Sequence, residues 1–340
     1  MTTTRRSFLA GLSATAAALA LAACAGEGND NGGGGGSSDD ELVIDFATYN
    51  PLSLIIKEKG WLEAALKDRG TKVTWIQSAG SNKANEGLRS GTLNMGSTAG
   101  SAALLARANG SPIKAIDIYS QPEWSALVTR PDTGITTVAD LRGKSVAATK
   151  GTDPYFFLLQ SLATADLKPS DITIQNLQHA DGRAALDNKS VDAWSGLDPI
   201  MAAAERAGDK LFYRNVEFNT YGFLNATEDF LSDQPDLAQT VVNAYEAARA
   251  WAKENTAETA AILAKVAAID EATATKVIGR TNLDVDPVPG EAQRKVLDVV
   301  SGILVDSGDV KSRDDVTSAL ASLFDDSLAK KADPAAISTT

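Results

Sequence analysis

The sequence contains almost no cysteine or histidine. Cys24 is the only cysteine and His179 is the only histidine in 340 residues. One cysteine cannot close an internal disulfide, so the fold must be held together by packing. A metal centre built from histidine and cysteine needs several such ligands and is therefore excluded. We expect the protein to bind no metal and no cofactor.

Basic charge is also scarce. The chain has 32 Lys and Arg against 44 Asp and Glu, and its formal net charge is −12. This balance argues against a surface that binds nucleic acid or anionic lipid. It leaves room for a small anionic ligand, because a local site can use backbone dipoles against the global field. Catalytic motifs are missing too: the sequence has no GxSxG, HExxH or P-loop pattern.

The one long apolar run lies at the N-terminus. The segment TRRSFL at 4–9 is typical of a twin-arginine (Tat) export signal, and LAAC ending at Cys24 is typical of a lipobox. Residues 1–23 are predicted to be a signal peptide, cleaved before a lipidated Cys24. Residues 24–41 then form a Gly/Ser tether. An uncleaved N-terminal anchor is the alternative. Either reading places the body at the outer face of the bacterial cytoplasmic membrane.

Two segments, 73–110 and 172–208, resemble each other. Each reads strand, polar cap, helix, strand, polar cap, helix. Runs of β-branched residues mark the strands, and clusters of Gly, Ser, Asn and Asp mark the caps. This alternation favours right-handed crossovers and a mainly parallel sheet, and the duplication predicts two α/β lobes.

Two strands, at about 123–128 and 221–226, are expected to cross between these lobes. The predicted division therefore has three parts: lobe 1 at 42–125 plus 224–328, lobe 2 at 126–223, and a loose tail at 329–340.

Polar clusters stand where predicted strands end and helices begin. In open α/β sheets, ligands bind at the carboxyl ends of strands, where free N–H groups and the helix dipole favour a negative group. No single cluster is specific, since the same residues cap helices without a ligand. Their recurrence in two lobes favours one shared cleft. The clusters contain the candidates Ser78, Gly80, Ser81 and Asn82, then Ser97, Thr98, Gly100 and Ser101, then Gly151, Thr152, Asp153 and Tyr155.

Several stretches resemble the family of solute-binding proteins of ABC importers for aliphatic sulfonates, taurine and nitrate. They are DLRGKSVA at 140–147, KGT at 150–152, ADGRAAL at 180–186, and SVDAW at 190–194 followed by Asp198-Pro199. The resemblance spans about 43–265. It implies a two-lobed type II periplasmic-binding-protein fold, with hinge-linked lobes and a ligand cleft between them. It also implies a partner permease and, through it, a cytoplasmic ATPase.

By position, the polar clusters match the family's ligand loops. Trp194 and Asp198 match its second-lobe wall. The predicted ligand set also includes Thr48 and Asn50, with Lys150 as a further positive charge.

Two positions depart from the family's usual pattern. Leu197 stands before the Asp-Pro pair where the family often has an aromatic residue, which would enlarge the pocket. Asp153 stands where the family often has Ser, and a carboxylate beside an anion is unfavourable. Asp153 therefore either caps its helix from outside the cleft or pairs with a cationic end of the ligand, as in an amino-sulfonate such as taurine.

The sequence thus predicts a monomeric, membrane-anchored solute-binding protein, not an enzyme, that delivers a small aliphatic sulfonate (alkanesulfonate or taurine) to an ABC importer. The same role for nitrate, a thiamine-pyrimidine precursor or another small anion is the first alternative. A pyrimidine-synthase-like enzyme on the same fold is the second; it would need His179, which we expect at the surface. A lipid-anchored surface protein without a transport role is the third.

Overall fold

The computed structural model describes residues 41–339. The predicted signal peptide, Cys24 and nearly all of the tether lie outside the described residues and stay predictions. Within the described range, no helix has both the length and the apolar character needed to cross a membrane.

The described chain alternates between short strands and helices. The strands are β1 (Glu41–Phe46), β2 (Lys72–Gln77), β3 (Met95–Ala99), β4 (Ile113–Pro122), β5 (Ser125–Thr129), β6 (Ser145–Ala148), β7 (Thr173–Asn176), β8 (Ala193–Leu197), β9 (Lys210–Tyr213), β10 (Gly222–Thr227) and β11 (Thr281–Asn282). The α-helices are α1 (Pro51–Lys59), α2 (Trp61–Leu66), α3 (Ser81–Ser90), α4 (Gly100–Ala108), α5 (Asp153–Thr164), α6 (His179–Asp187), α7 (Ile200–Arg206), α8 (Glu228–Asp233), α9 (Pro235–Glu254), α10 (Thr256–Ala267), α11 (Glu271–Gly279), α12 (Glu291–Asp306) and α13 (Arg313–Ser322).

The strands form two sheets. The first has the order β11-β4-β10-β3-β1-β2 and the second the order β7-β6-β8-β5-β9. In each sheet, three strands are parallel neighbours: β1 pairs with β2 and β3, and β6 pairs with β7 and β8. The fold is therefore the two-lobed α/β fold that the repeat predicted.

Both sheets are mixed, however, and not mainly parallel as expected. β10 runs antiparallel to β3 and β4, and β5 runs antiparallel to β8 and β9. β5 and β10 are the strands on which the chain enters each sheet from the other one. No helical crossover within the same sheet precedes them, so nothing forces them to be parallel.

The hydrophobic core joins the two sheets. One buried cluster contains Leu104, Ile118 and Phe223 from the first sheet and its helices, together with Leu127 and Phe156 from the second. A second large cluster lies under β1, α1 and α9. The segment 329–339, expected to be loose, forms two short 3-10 turns and packs Ile337 into this second cluster.

Candidate ligand-binding site

The strand-to-helix junctions lie where the polar clusters predict them. β2 ends at Gln77 before α3, and β3 ends at Ala99 directly before α4. In the second sheet, β6 ends at Ala148 and α5 begins at Asp153. Pro154 at the start of α5 loses nothing there, because the first N–H groups of a helix have no intrahelical partner. These junctions give backbone donors to each lobe.

A buried carboxylate ties the first two loops together. The N–H and Oγ of Ser97 donate to Asp45 at 2.8 and 3.0 Å, and the Ser78 side chain also bonds to Asp45. The Tyr49 hydroxyl donates to the Ser97 carbonyl at 2.9 Å. Burial raises the pKa of Asp45 to about 7, while the bonds from Ser78 and Ser97 work to lower it. Asp45 positions both loops, and the one sequence signal for it is a charge between the apolar residues Ile44 and Phe46.

Other predicted side chains of the first lobe already have protein partners. Ser81 Oγ accepts a bond from Ala99 N–H at 2.9 Å. Asn50 accepts from Ser53 N–H at the start of α1 and donates to the Tyr245 hydroxyl, fully buried. The loops can therefore offer a ligand mainly their backbone N–H groups.

Thr98 is buried and bonds to its neighbouring backbone and to Asn225 at 2.9 Å. Thr48 is half-buried and lies with Asp198 and Arg280 along a very small cavity of about 10 Å³. Neither residue adds a free polar group at the junctions of α3 and α5.

Asp153 accepts four hydrogen bonds from outside its own helix. Ser101 Oγ and Thr220 Oγ1 donate to Oδ1 at 2.7 and 2.6 Å. Trp124 Nε1 and Thr220 N–H donate to Oδ2 at 2.8 and 2.9 Å. Burial raises the pKa of Asp153, and these donors oppose the rise.

This network changes the interpretation of Asp153. None of its donors is an N–H of α5, so the side chain does not cap that helix. A carboxylate has about four lone-pair positions, and protein donors fill them, which leaves no position for a cationic end of the ligand. Since Trp124 and Thr220 lie on the two segments that cross between the sheets, Asp153 holds both crossings to α4 and α5.

The loop before α5 is built on a left-handed glycine. Gly151 has φ = +76°, which favours glycine over any residue with a Cβ. Thr152 is buried and donates to the Thr149 carbonyl at 2.6 Å. The Lys150 ammonium lies 5.6 Å from the centre of the buried Tyr155 ring. A Cβ added to Gly151 would lie 3.7 Å from Asn82 Cβ, so this loop faces the start of α3 in the other lobe.

Trp194 lies in the interior of the second lobe, and Asp198 lies where that lobe meets Thr48 and Arg280 of the first. Trp194 is fully buried in an apolar cluster with Val128 and Met201, with its indole Nε1 beside α6. Asp198 accepts from Ala202 N–H in α7 at 2.9 Å, as a helix cap should. Burial raises the pKa of Asp198 to about 7, although Arg280 at 3.4 Å works to lower it. Trp194 thus packs as core and Asp198 caps a helix.

Two glycines allow the lobes to approach closely. A Cβ on Gly100 would lie 2.4 Å from the Thr220 carbonyl oxygen. A Cβ on Gly80 would lie 2.9 Å from both Asn82 Oδ1 and His179 Nε2. His179 is only 2% exposed, so the expectation of a surface histidine was wrong. Burial lowers its pKa to about 4.

An open cavity of about 560 Å³ lies between α3 and the loop before α5, and we call it the mouth of the site. Asn82, Asn85 and Arg89 of α3 form one side, and Lys150 and Gly151 of the second lobe form another. Glu86 and Asp309 line it as well. Sequence reasoning missed Asn85 and Arg89, which follow Asn82 at helical spacing on the same face of α3. That helical spacing is the sequence signal that could have identified these two residues.

The structure has two mixed α/β sheets joined by two crossing segments, and the helix starts of one lobe face those of the other. This arrangement defines a two-lobed binding-protein fold. The chain belongs to the NMT1/THI5-like family, whose model matches residues 53–259. The family resemblance predicted from the sequence is confirmed.

Proteins that are similar to this chain carry consistent names. The chain is 29% identical over 232 residues to an aliphatic sulfonates-binding protein of Bacillus subtilis (strain 168), covering 67% of this chain and 70% of that one. It is 30% identical over 198 residues to the protein of the same name in Escherichia coli (strain K12), covering 57% and 62%. Among solved structures, the alkanesulfonate-binding protein SsuA from Xanthomonas axonopodis pv. citri, bound to MOPS, matches with a TM-score of 0.75 at 23% identity. That match covers 84% of this chain and 99% of SsuA and bears on the fold.

Proposed function

We propose that the protein is the solute-binding component of an ABC importer and captures a small aliphatic sulfonate. The observation that carries this proposal is the meeting of α3 and α4 of one lobe with the α5 loop and α6 of the other. A small anion held there would contact both lobes at once and stabilise the closed arrangement. The relatives named for binding aliphatic sulfonates support the choice of ligand.

The sulfonate oxygens would be held by neutral donors. The helices α3 and α5 begin with N–H groups that have no intrahelical partner, and their dipoles favour a negative charge. At the start of α4, the N–H groups of Gly100 and Ser101 already donate to Thr220. Because the serine and threonine hydroxyls are largely bonded to protein, backbone N–H groups of Ser81, Asn82 and Thr152 are the main proposed donors. Arg89 and Lys150 stand at the mouth together with Glu86 and Asp309, so the entrance carries charges of both signs.

The remaining parts of the proposal follow from the importer role. The lobes deliver the sulfonate to a membrane permease coupled to a cytoplasmic ATPase. A lipid on Cys24 and the flexible tether hold a monomeric body at the outer face of the membrane after Tat export. The protein binds its solute without turning it over, so incubation with a sulfonate should release no sulfite; steady release would support an enzyme.

A thermal-shift panel on the purified protein tests the ligand class. The ligands are alkanesulfonates, taurine, an aromatic sulfonate, nitrate, sulfate and a pyrimidine. A ligand at 100 times its Kd adds about 2.7 kcal/mol of stability, so an aliphatic sulfonate should raise Tm clearly. A shift with nitrate or the pyrimidine and none with any sulfonate would overturn the proposed ligand.

A further inference from the structure

A cluster of ion pairs joins the two lobes where α7, which follows β8 of the second sheet, packs against α11, which precedes β11 of the first. Arg280 directly follows α11 and donates to Asp198 at 3.4 Å and also to Glu205 of α7. Lys276 of α11 pairs with the same Glu205 at 3.2 Å. The Arg280 and Asp198 side chains are only 10% and 3% exposed. Each pair has one member in each lobe, so the cluster connects the lobes to each other.

Two more ion pairs cross between the lobes beside this cluster. Arg206, the last residue of α7, pairs at 3.1 Å with Asp270, which directly precedes α11. Arg214, which follows β9, donates through Nε and Nη2 to the two carboxylate oxygens of Glu123 at 2.8 and 2.6 Å. Pairs as exposed as these contribute little on their own. They extend the contact between opposite charges along the same side of the molecule.

The cluster closes one end of the space between the lobes. Asp198 directly follows β8 and Thr48 lies two residues beyond β1, so both stand at carboxyl ends of strands, where ligands bind in such sheets. Arg280 lies with them along a cavity of only about 10 Å³, which has room for no more than about one water. The cavity at the mouth is about 560 Å³. The lobes are therefore joined at the Arg280 end and apart at the α3 end.

These ion pairs are formed while the lobes touch elsewhere as well. In the same structure, Ser101 Oγ of α4 donates to Asp153 of α5 at 2.7 Å, and Gly151 faces Asn82 of α3. The cluster thus belongs to the arrangement in which the helix starts of the two lobes meet.

Resting on the proposed function, we propose that Arg280 and Lys276 of the first lobe and Asp198 and Glu205 of the second form a latch, which stabilises the closed arrangement and separates when the lobes open. Opening lets water solvate the four charges, whereas closure requires each buried charge to meet its partner. Arg280 is therefore a positioning residue that acts on the solute through lobe closure. The apparent Kd rises as the closed arrangement becomes less populated.

Calorimetric titration of the purified full-length protein with propane-1-sulfonate and with taurine tests the latch. The titration is run at pH 8, above the pKa of about 7 that burial gives Asp198. Arg280→Gln leaves Asp198 without its cation in the closed arrangement, so the Kd should rise about tenfold or more. The rise should be the same for both solutes, because the latch acts through closure. Arg280→Lys keeps the charge and should lose less affinity, and Glu205→Gln should weaken binding in the same direction as Arg280→Gln.

Arg107→Gln is the matched control, because Arg107 pairs with Glu228 at 2.7 Å within the first lobe and is 16% exposed. This variant should lower the free energy of unfolding in urea and leave the Kd unchanged. The titrated stoichiometry separates the two effects. A partly unfolded sample has fewer binding sites, whereas a weakened latch raises the Kd at full stoichiometry.

The outcomes separate this inference from the proposed function. Wild-type Kd values in both Arg280→Gln and Glu205→Gln, or tighter binding in either variant, overturn the latch and leave the proposed ligand class standing. If Arg280→Gln does not fold, Glu205→Gln decides alone, since its side chain is 28% exposed and the fold should tolerate the change. Wild type that binds neither solute overturns the proposed ligand class and the latch with it.

Discussion

Single buried carboxylates do much of the positioning in this protein. Asp45 orients the loops at Ser78 and Ser97, and Asp153 binds both segments that cross between the lobes. A buried charge is tolerated only where donors surround it. Each carboxylate therefore fixes the geometry of its donors, which include Ser78, Ser97 and Ser101.

Asp153→Asn should destabilise the fold without changing ligand selectivity. The amide replaces one acceptor oxygen by a donor, so two of the four incoming hydrogen bonds are lost or reversed. Bonds to charged groups contribute about 1.5–3 kcal/mol each, so we expect the free energy of unfolding to fall by about 3–6 kcal/mol in urea titrations. Asp181→Asn, an exposed change in the first turn of α6, is the control and should have little effect.

The same variant separates the two hypotheses about Asp153. If the carboxylate paired with a cationic ligand, Asp153→Asn would weaken taurine selectively while alkanesulfonate binding persisted. The network of protein donors predicts equal changes for both ligands.

At the scale of elements, the approach of α3 to α6 depends on Gly80. Its φ of 173° is extended backbone that any residue adopts, so the constraint is contact and not conformation. Gly80→Ala would place a methyl group 2.9 Å from Asn82 Oδ1 and His179 Nε2, closer than carbon normally packs. The Asn82 and His179 side chains would have to move away from position 80.

Gly80→Ala should therefore weaken sulfonate binding by about tenfold or more while the fold persists, since a misplaced contact typically costs 1–3 kcal/mol. Calorimetric titration measures the change in Kd. Gly302→Ala in α12 is the matched control, because nothing lies within 4 Å of its added methyl group. Alanine is the better helix former by about 1 kcal/mol, so the control should be slightly more stable and bind normally. Equal affinity in both variants would contradict this account.

The sequence predicted where the helices begin more accurately than it predicted which residues contact those helix starts. Pro154 at the start of α5 and the Gly/Ser clusters before α3 and α4 are local signals, and local signals are readable from one sequence. The partners of Asp153, by contrast, are Trp124 and Thr220, which lie far away along the chain. Hydrogen bonds formed by tertiary approach leave no spacing pattern. The burial of His179 was missed for the same reason.

Over the whole molecule, two buried carboxylates with raised pKa values give the stability a defined pH dependence. Asp45 and Asp198 each titrate at about 7 in the folded protein, against a usual value of 3.8. Between about pH 4 and 7 the folded state holds protons that the unfolded state has released. The contribution of these two carboxylates to stability therefore falls as pH rises through this window. His179 contributes in the opposite sense, because its pKa is lowered to about 4 in the folded protein.

Asp45→Asn should remove its share of this slope, on the order of 2–4 kcal/mol. Urea titrations from pH 4 to 8 should show a flatter profile for the variant than for wild type. Asp140→Asn is the control of opposite sign. Backbone N–H groups of Thr136 and Thr137 lower the pKa of Asp140 to about 2, so its stabilising effect is present above about pH 4 and lost as pH falls below it. A profile for Asp45→Asn that parallels wild type would contradict the assignment.

The open cavity at the mouth can report on the opening of the lobes. Because Arg89 stands on one side and Gly151 on the other, the width of this cavity follows the distance between the lobes. The body of the chain beyond Cys24 has no thiol. A cysteine introduced on the exposed face of α3 could thus carry an environment-sensitive dye at a unique position, and the protein would become an optical sensor for its own solute.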